Sequence, residues 1–437
     1  MHITMIGTGY VGLVTGAGLA DLGLSVTCVD KDQEKIQTLQ KGSAPFFEPG
    51  LDDLVRRNQK SGRLKFTTDI EAAIRGSLVN FIAVGTDAGP DGSPDLSHVW
   101  AVADSIADCM DEYKVLVTKS TVPVGTAAKL EQRIRGRLKK PLDFDVVANP
   151  EFLREGAAVE DFFHPNRIVI GTHSDRAAAI MKDVYRPLYL IETPFVMTTW
   201  ECAELIKYAA NSFLALKISY INEIANLCDA IGGDADVHTV ARALGLDKRI
   251  GSKFLHPGPG YGGYCLPKDT RALVQIAQGF GEQIRTIEAA VAVNDDQHVR
   301  VVEKLKKDMG PLQGKTVAVL GLSFKPMTDD IRESRAIAIC QLLQKEGCSL
   351  QVFDPAAMER AKQVLPSSGV AFCADPYQAA GSADGLIVCT EWNEFRSLDL
   401  AKLRETMRGT IIVDAKNVLD PVRAKTLGFQ YHGMGRN

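Results

Sequence analysis

A single cysteine in a glycine-rich segment is the residue of this chain best suited to covalent chemistry. Cys265 lies in the run Gly-Pro-Gly-Tyr-Gly-Gly-Tyr-Cys-Leu-Pro-Lys-Asp at 258–269. The glycines let the backbone approach a ligand closely or take positive φ, and the prolines exclude a continuous helix. Lys268 and Asp269 then open an apolar helical pattern, so unpaired N–H groups and an ammonium favour the thiolate. The segment predicts an activated nucleophile, although a lone cysteine is often a buried apolar residue.

The first 30 residues carry a second chemical signal, a phosphate-binding turn. A strand pattern is followed by Gly7-Thr8-Gly9-Tyr10-Val11-Gly12, a helix pattern, and a second strand ending at Asp30. In this setting Gly7 permits the tight turn, Gly9 admits a pyrophosphate, and Gly12 allows helix–strand contact. The Asp30 carboxylate would bind an adenosine ribose and repel a 2′-phosphate. We therefore expect NAD rather than NADP.

Later strand patterns end in polar residues that could reach the same ligand. Three apolar runs lead into Thr86, Thr121 and Glu151. Ligands of open parallel sheets collect at the carboxyl ends of strands, so cofactor and substrate should lie near these side chains. Each could alternatively be an ordinary turn or capping residue.

A stretch without glycine or proline from Trp200 to Ile231 predicts a helix of about 48 Å. Lys207 and Asn211 are four residues apart and would share one helix face. A helix of this length can join two domains or build a dimer interface. Near Lys315 the strand–helix alternation begins again without a G-x-G-x-x-G sequence, so we do not expect a second dinucleotide bound in the same manner.

Composition limits the classes of function. The 437 residues are 45% hydrophobic and 24% charged, with a net charge of −4. Two or three globular domains are expected, with no affinity for nucleic acid or membrane. The nine cysteines form no disulfide framework or zinc-type spacing, so we expect reduced thiols, a cytoplasmic location and no metal. The first residues run directly into a strand pattern without a basic segment, so we expect no signal peptide.

Seven motifs follow one another in a fixed order: GTGYVG (7–12), STVPVGT (120–126), NPEFLREG (149–156), Lys207-x-x-x-Asn211, Arg249-Ile-Gly, GYGGYCLPKD (260–269) and FKPxxDDxR (324–332). With these motifs the chain resembles the nucleotide-sugar 6-dehydrogenases over essentially its whole length, most closely those acting on UDP-glucose. The resemblance implies a four-electron oxidation of a sugar C6 hydroxyl to a carboxylate, with two NAD and no metal. GDP-mannose is the alternative substrate.

The resemblance also implies roles for individual residues. Cys265 would trap the aldehyde as a thiohemiacetal and become a thioester after the second hydride transfer. Lys207 and Asn211 would stabilise the oxyanion, and Lys207 could also take part in proton transfer. Three residues would orient or activate the hydrolytic water: Asp269, Glu151 and Thr121.

Binding residues carried over from the family fall into two sets. The NAD contacts would be Gly7, Gly9, Tyr10, Val11, Gly12, Asp30, Lys35, Thr86, Thr121, Glu155, Lys268 and Arg332. The nucleotide sugar would be held by Glu151, Phe152, Leu153, Arg154, Glu155, Lys207, Asn211, Arg249, Phe254, Leu255, His256, Pro257, Gly258, Gly262 and Lys325. Arg249 would reach into a neighbouring subunit's site, so a homodimer built on the long helix is implied.

The resulting prediction is an α/β protein with two Rossmann-like doubly wound domains joined by a long central helix. Its domains would be an NAD-binding domain at 1–199, a central helical domain at 200–310 and a nucleotide-sugar-binding domain at 311–437. Three departures from the family pattern are Tyr264 in place of a frequent Ser, Asp87 in place of Pro, and Ala415-Lys416 within Asp-Ala-Lys-Asn in place of Asp-Gly-Arg-Asn.

Two other functions are compatible with part of this sequence pattern. A two-electron β-hydroxyacid dehydrogenase also pairs a nucleotide domain with Lys-x-x-x-Asn, but needs neither a catalytic cysteine nor the region after Gly314. A catalytically silent nucleotide sensor would not need Cys265, Lys207, Asn211 and Asp269 together. The number of NADH formed per sugar distinguishes the three: two, one and none.

Overall fold

The computed structural model describes residues 1–89 and 92–436. Within it the chain divides into two compact units, Met1–Ala210 with Gln278–Phe280, and Asn211–Ala277 with Gly281–Asn437.

The first unit alternates strands and helices in the manner of an α/β fold. Its strands are β1 (His2–Ile6), β2 (Ser25–Val29), β3 (Leu64–Thr67), β4 (Val79–Ile82), β5 (Lys114–Thr118), β6 (Phe144–Ala148), β7 (Ile168–Gly171) and β8 (Phe195–Thr198). Its helices are α1 (Tyr10–Asp21), α2 (Gln33–Gln40), α3 (Leu51–Lys60), α4 (Ile70–Arg75), α5 (Ser97–Cys109), α6 (Thr126–Arg137), α7 (Ala158–Phe163), α8 (Asp175–Val184) and α9 (Arg186–Tyr189).

These strands form one sheet, in the order β3-β2-β1-β4-β5-β6-β7-β8, and pair in parallel except β6 with β7. The central strands are apolar on both faces because helices cover both sides. In β5, for example, Val115 and Val117 belong to one core and Leu116 to the core on the opposite face. The order reverses between β1 and β4, and the carboxyl ends on either side of that point are the expected ligand edge.

Helix α10 (Trp200–Ile231) is continuous over 32 residues, and the sequence prediction of its two ends is confirmed. It begins in the first unit and continues in the second. Glu204 anchors its early turns, since its two carboxylate oxygens accept the N–H groups of Gly125 and Ala127 at 2.7 and 2.8 Å. Burial raises the pKa of Glu204 to about 7, and these N–H donors oppose that rise. The contact fixes the start of α6, directly after the segment that carries Thr121.

Beyond α10 the chain forms a helical segment followed by a second α/β sheet. The helices are α11 (Val237–Leu246), α12 (Cys265–Gly279), α13 (Arg285–Met309), α14 (Arg335–Lys345), α15 (Met358–Val364), α16 (Pro376–Ala380), α17 (Asn393–Arg396), α18 (Leu400–Thr406) and α19 (Pro421–Thr426). The strands are β9 (Thr316–Leu320), β10 (Ser349–Phe353), β11 (Val370–Phe372), β12 (Gly385–Val388), β13 (Ile411–Asp414) and β14 (Gln430–Gly433).

The second sheet is parallel, with the order β11-β10-β9-β12-β13-β14, which is also the order of a Rossmann fold. The predicted fold class is confirmed. At the position corresponding to Asp30, Asp354 follows the second strand but is buried, and it accepts the N–H groups of Leu322 and Ser323. Trp392 covers it, with its indole N–H 3.3 Å from the same carboxylate oxygen. The Asp354 oxygen that a ribose hydroxyl would approach therefore already accepts hydrogen bonds from protein N–H groups.

Helix α12 begins earlier than the sequence pattern indicates. It starts at Cys265 itself rather than at Lys268, with Pro267 in its first turn. Proline is tolerated there because first-turn N–H groups have no partner within the helix. Cys265 is thus the first helical residue rather than a residue before the helix.

The glycine-rich loop before α12 is held by side chains from three helices. Asn222 on α10 accepts the Gly258 N–H at 2.8 Å. Asn294 on α13 accepts the Tyr261 N–H at 2.6 Å and donates to its carbonyl at 3.1 Å, and Arg335 on α14 donates to that carbonyl at 3.2 Å. At Gly260, with φ of +110°, a Cβ would lie 2.7 Å from Asn294 Oδ1, so this contact requires glycine.

Replacing Asn294 with Ala should loosen the loop, because it leaves the buried Tyr261 N–H without its acceptor at a cost of about 1–3 kcal/mol. Amide exchange over residues 258–264 should quicken by about tenfold or more, measured by hydrogen–deuterium exchange. Gln297→Ala is the matched control, since Gln297 is buried one turn further along α13 but pairs with Asn226. Unchanged exchange in Asn294→Ala, or an equal increase in the control, would contradict the clamp.

Candidate active site

The turn between β1 and α1 has the shape of a pyrophosphate cradle. Gly7 has φ of +102°, and a Cβ on Gly12 would lie 2.0 Å from the Gly7 carbonyl oxygen. A Cβ on Gly9 would meet nothing within 4 Å, so this residue faces open space at the start of α1. No side chain caps α1, which leaves its first N–H groups directed at that space. These residues therefore fit the phosphates of a dinucleotide.

Asp30 lies beside this turn, as its spacing indicates. Its Oδ2 accepts the N–H and the hydroxyl of Thr8 at 2.9 and 2.8 Å, and Lys35 on α2 is 3.3 Å away. Burial alone would raise the pKa of Asp30, but the donors from Thr8, Asp32 and Lys35 hold it below its usual value. The carboxylate is therefore ionised at neutral pH and unfavourable to a 2′-phosphate.

A buried glutamate that the sequence analysis missed links this turn to the segment containing Glu151. Glu48 accepts the Tyr10 hydroxyl at 2.6 Å and the N–H groups of Gly156 and Ala158 at 2.6 and 2.7 Å. Burial and the nearby Glu48 carboxylate raise the pKa of Tyr10, so its hydroxyl remains a donor. Glu48 precedes a Pro-Gly turn and has no recognisable local signal in the sequence.

The ends of β4 and β5 bring two predicted residues together. The buried Thr86 hydroxyl donates to the Thr121 carbonyl at 2.9 Å. Asp87, the departure beside Thr86, opens a loop in which its carbonyl accepts the Asp95 N–H at 2.7 Å.

Glu151 and Lys207 form a buried ion pair within the first unit. The Lys207 ammonium donates to Glu151 Oε1 at 2.8 Å, and both side chains are 4% exposed. Phe152 packs beside them, with its ring 3.4 Å from the Arg167 guanidinium and 5.4 Å from the Lys207 ammonium. A buried pair of this kind persists only with good geometry, and each member is costly to remove alone.

A second polar group lies in the second unit, near the N-terminus of α12. Asp269 is fully buried and accepts Asn211 Nδ2 at 2.6 Å through one oxygen and the Lys268 ammonium at 2.6 Å through the other. Cys265 begins the same helix and is half-buried. Burial raises the pKa of Cys28 and Cys340 to about 12, so those thiols remain protonated.

Tyr264 lies between two predicted cofactor contacts. Its ring centroid is 4.3 Å from the Arg332 guanidinium and 5.5 Å from the Lys268 ammonium, distances at which cations are attracted to an aromatic face. Arg332 is also paired with Asp330 at 2.6 Å. This departure from the family pattern therefore places an aromatic ring near two cationic side chains. Lys325 lies in the same loop after β9, with its ammonium 5.6 Å from the Phe324 ring.

The remaining predicted substrate residues lie in the loop before the glycines. Phe254 has φ of +65°, a strained conformation for a bulky residue, and Leu255 is buried. A Cβ on Gly258 would lie 3.2 Å from Lys416, so the Lys416 departure borders this loop, where it pairs with Glu391 at 2.9 Å. The structure does not join Arg249 to this group, because its guanidinium binds Asp247 and its side chain is 89% exposed.

Across the described residues, the structure contains no cluster of three His, Cys, Asp or Glu side chains able to hold a metal. Within the same ranges, no helix is both long and apolar enough to cross a membrane.

Comparison with protein-family models gives matches in each third of the chain. The NAD binding domain of the UDP-glucose/GDP-mannose dehydrogenase family matches residues 1–189, its central domain 201–296 and its UDP binding domain 318–421. The predicted NAD cofactor is thereby confirmed.

Individual relatives match over nearly the full length. A UDP-glucose 6-dehydrogenase of Rhizobium meliloti is 52% identical, with 100% of both chains covered. One of Bacillus subtilis is 44% identical over 99% of this chain and 93% of its own. A solved UDP-glucose dehydrogenase of Pyrobaculum islandicum superposes with a TM-score of 0.93 at 39% identity, covering 100% of this chain and 98% of its own. The resemblance drawn from the motifs is confirmed, and the chain belongs to the UDP-glucose/GDP-mannose dehydrogenase family.

Proposed function

We propose that this protein oxidises UDP-glucose to UDP-glucuronate and reduces two NAD per sugar. The observation that carries the proposal is the buried Asn211–Asp269–Lys268 group near the N-terminus of the helix that begins with Cys265. An ordered carboxylate beside a half-buried thiol is what acyl transfer to water requires. The identities to UDP-glucose 6-dehydrogenases support the choice of sugar nucleotide over GDP-mannose.

The proposed reaction proceeds through covalent attachment to Cys265. In the first oxidation the C6 hydroxyl loses a proton and a hydride to give an aldehyde. The thiolate adds to the aldehyde carbon, and removal of a second hydride from the thiohemiacetal gives a thioester. Water then attacks the thioester, releasing the carboxylate and the thiol. Bound NAD supplies the hydride acceptor in both oxidations.

Each polar residue has a distinct task in this scheme. In its neutral form Lys207 receives the hydroxyl proton in the first oxidation, and the resulting ammonium and the amide of Asn211 stabilise the oxyanion on C6. Asp269 acts on the hydrolytic water, with Glu151 and Thr121 orienting it. The Glu151–Lys207 ion pair supports these assignments because it keeps the amino group of Lys207 ordered at a buried position.

Binding of the two nucleotides is assigned to separate residue sets. Gly7, Gly9, Gly12, Asp30 and Lys35 would hold NAD, together with Tyr10, Val11, Thr86, Thr121, Glu155, Lys268 and Arg332. The nucleotide sugar would contact 151–155, Lys207, Asn211, Arg249, 254–258, Gly262 and Lys325. The three predicted domains, 1–199, 200–310 and 311–437, and a cytoplasmic location complete the proposal.

A homodimer built on α10 is the proposed assembly. Phe213, Tyr220 and Leu227 are exposed at intervals of seven residues, and Ile231 follows one turn later. Apolar residues at this spacing form one stripe along a helix, and a second copy would bury it. The exposed Arg249 guanidinium is then available to the partner's site.

Stoichiometry tests the reaction. Purified protein with limiting UDP-glucose and excess NAD should form two NADH per sugar, followed by absorbance, in a panel that includes GDP-mannose, UDP-N-acetylglucosamine and UDP-N-acetylmannosamine. Cys265→Ser should lower acid formation at least about 100-fold, because the aldehyde is no longer trapped as a thioester precursor. Cys202→Ser, at an exposed cysteine, is the control. Full oxidation by Cys265→Ser at the wild-type rate would refute the nucleophile.

The preference for NAD over NADP tests the proposed role of Asp30 in cofactor binding. Asp30→Ala should raise the KM for NAD about tenfold and narrow the preference for NAD over NADP, since the ribose acceptor and the repulsion of a 2′-phosphate are both lost. Steady-state kinetics with each cofactor measure both effects. Asp69→Ala removes a helix-capping carboxylate after the neighbouring strand and should leave the preference intact. A preference unaltered in Asp30→Ala would contradict the assignment.

The oligomeric state in solution tests whether the apolar stripe on α10 forms a dimer interface. Leu227→Glu and Phe213→Asp should convert a dimer to a monomer, measured by light scattering during gel filtration, because burying a carboxylate in an apolar interface is unfavourable. Val422→Glu, on α19 and likewise exposed, should remain dimeric. A wild-type monomer, or dimers of both stripe variants, would exclude this interface.

A further inference from the structure

Lys119 is a buried lysine to which the proposed reaction gives no role. It follows β5 at the ligand edge of the first sheet, where its N–H donates to the Ile82 carbonyl at 2.8 Å. Its ammonium donates to Asn149 Oδ1 at 3.2 Å and to the Tyr185 hydroxyl at 3.3 Å. Tyr185 in turn donates to Asn149 Oδ1 at 2.7 Å. Two donors therefore fix Asn149, which precedes Glu151 by two residues.

A cavity of about 50 Å³ adjoins this network, and Lys119, Asn149, Glu151, Arg167 and Tyr185 are among the residues that line it. Its volume is sufficient for a water molecule. Lys119 and Glu151 thus line the same cavity, and both side chains are buried, so their charges interact more strongly than in bulk solvent.

The groups facing Lys119 carry both signs of charge. They are Glu151 after β6, Asp161 on α7, Arg167 before β7, Tyr185 after α8 and Lys207 on α10. Burial lowers the pKa of Lys119 to about 8; the Glu151 charge opposes this shift and the Lys207 charge adds to it. The Glu151 carboxylate therefore attracts the charges of both lysines. Its direct ion pair is with Lys207.

We propose that Lys119 is a positioning residue that holds the Asn149–Glu151 segment and, through its own charge, sets the proton affinity of Lys207. The inference rests on the proposed function, since it concerns the residue that receives the hydroxyl proton. When Lys119 is protonated, repulsion makes Lys207 a weaker base. When Lys119 is neutral, Lys207 holds its proton to higher pH.

The pH profile of kcat tests the charge effect. Lys119→Met removes the ammonium, so the limb of the profile due to Lys207 should move upward by about one pH unit, with the KM for NAD unchanged. Lys119→Gln retains a donor toward Asn149 and should show the same movement. Tyr185→Phe removes one acceptor of the ammonium, favours neutral Lys119, and should move the limb in the same direction by a smaller amount.

Lys114 provides the matched control. It is fully buried at the opposite end of β5 and is bound to Glu112 and to the Arg75 carbonyl. Lys114→Met should leave the pH profile in place. The proposal is overturned if Lys119→Met and Lys119→Gln keep the wild-type profile, if Lys114→Met moves it equally, or, where neither Lys119 variant folds, if Tyr185→Phe does not move it.

Thermal unfolding provides a readout that does not depend on activity. Because the folded pKa of Lys119 lies below its unfolded value, the native state binds fewer protons between about pH 8 and 10, and folding is favoured as pH rises. The Tm of the wild type relative to Lys119→Met should therefore increase over that range. A constant difference would refute the shifted ionisation. A wild type that forms no NADH from UDP-glucose would instead refute the proposed function, while leaving this unfolding test in force.

Discussion

A buried carboxylate is stable only when donors meet both its oxygens, and this constraint fixes the loops at the ligand edges of both sheets. Glu48 is satisfied by Tyr10 and by backbone N–H groups of the 149–158 segment. Glu204 is satisfied by the N-terminus of α6, and Asp354 by the turn after β9. Most of these donors are backbone N–H groups, so each carboxylate fixes the conformation of a loop. The side chains of that loop remain available to contact ligands.

Two further buried carboxylates, for which we propose catalytic roles, are met by side-chain donors. Glu151 is met by Lys207, and Asp269 by Asn211 and Lys268. Both carboxylates are buried, and a fixed charge in such a place acts strongly on a nearby polar group. Cys265, to which we assign the covalent step, is by contrast only half-buried at the start of its helix.

Local pattern was sufficient to predict much of the fold. The strand β9 and both ends of α10 follow from apolar runs and from the absence of helix breakers. The dinucleotide turn follows from glycine spacing with Asp30. Glu48, Glu204 and Asn294 could not be predicted, because the partners of each are far away in sequence and no periodicity identifies them. The sequence pattern places the start of α12 at Lys268 rather than at Cys265, because a proline in the first turn of a helix has the same local signal as a helix end.

The uninterrupted course of α10 restricts how this chain can change length. Lys207 and Asn211 are spaced by one helical turn, and one inserted or deleted residue between them would turn everything after it by about 100° around the axis. Surface loops tolerate such changes, but this helix has no loop to absorb them. We therefore expect variation in length among natural relatives to be confined to the turns and to be absent from the segment between these two side chains.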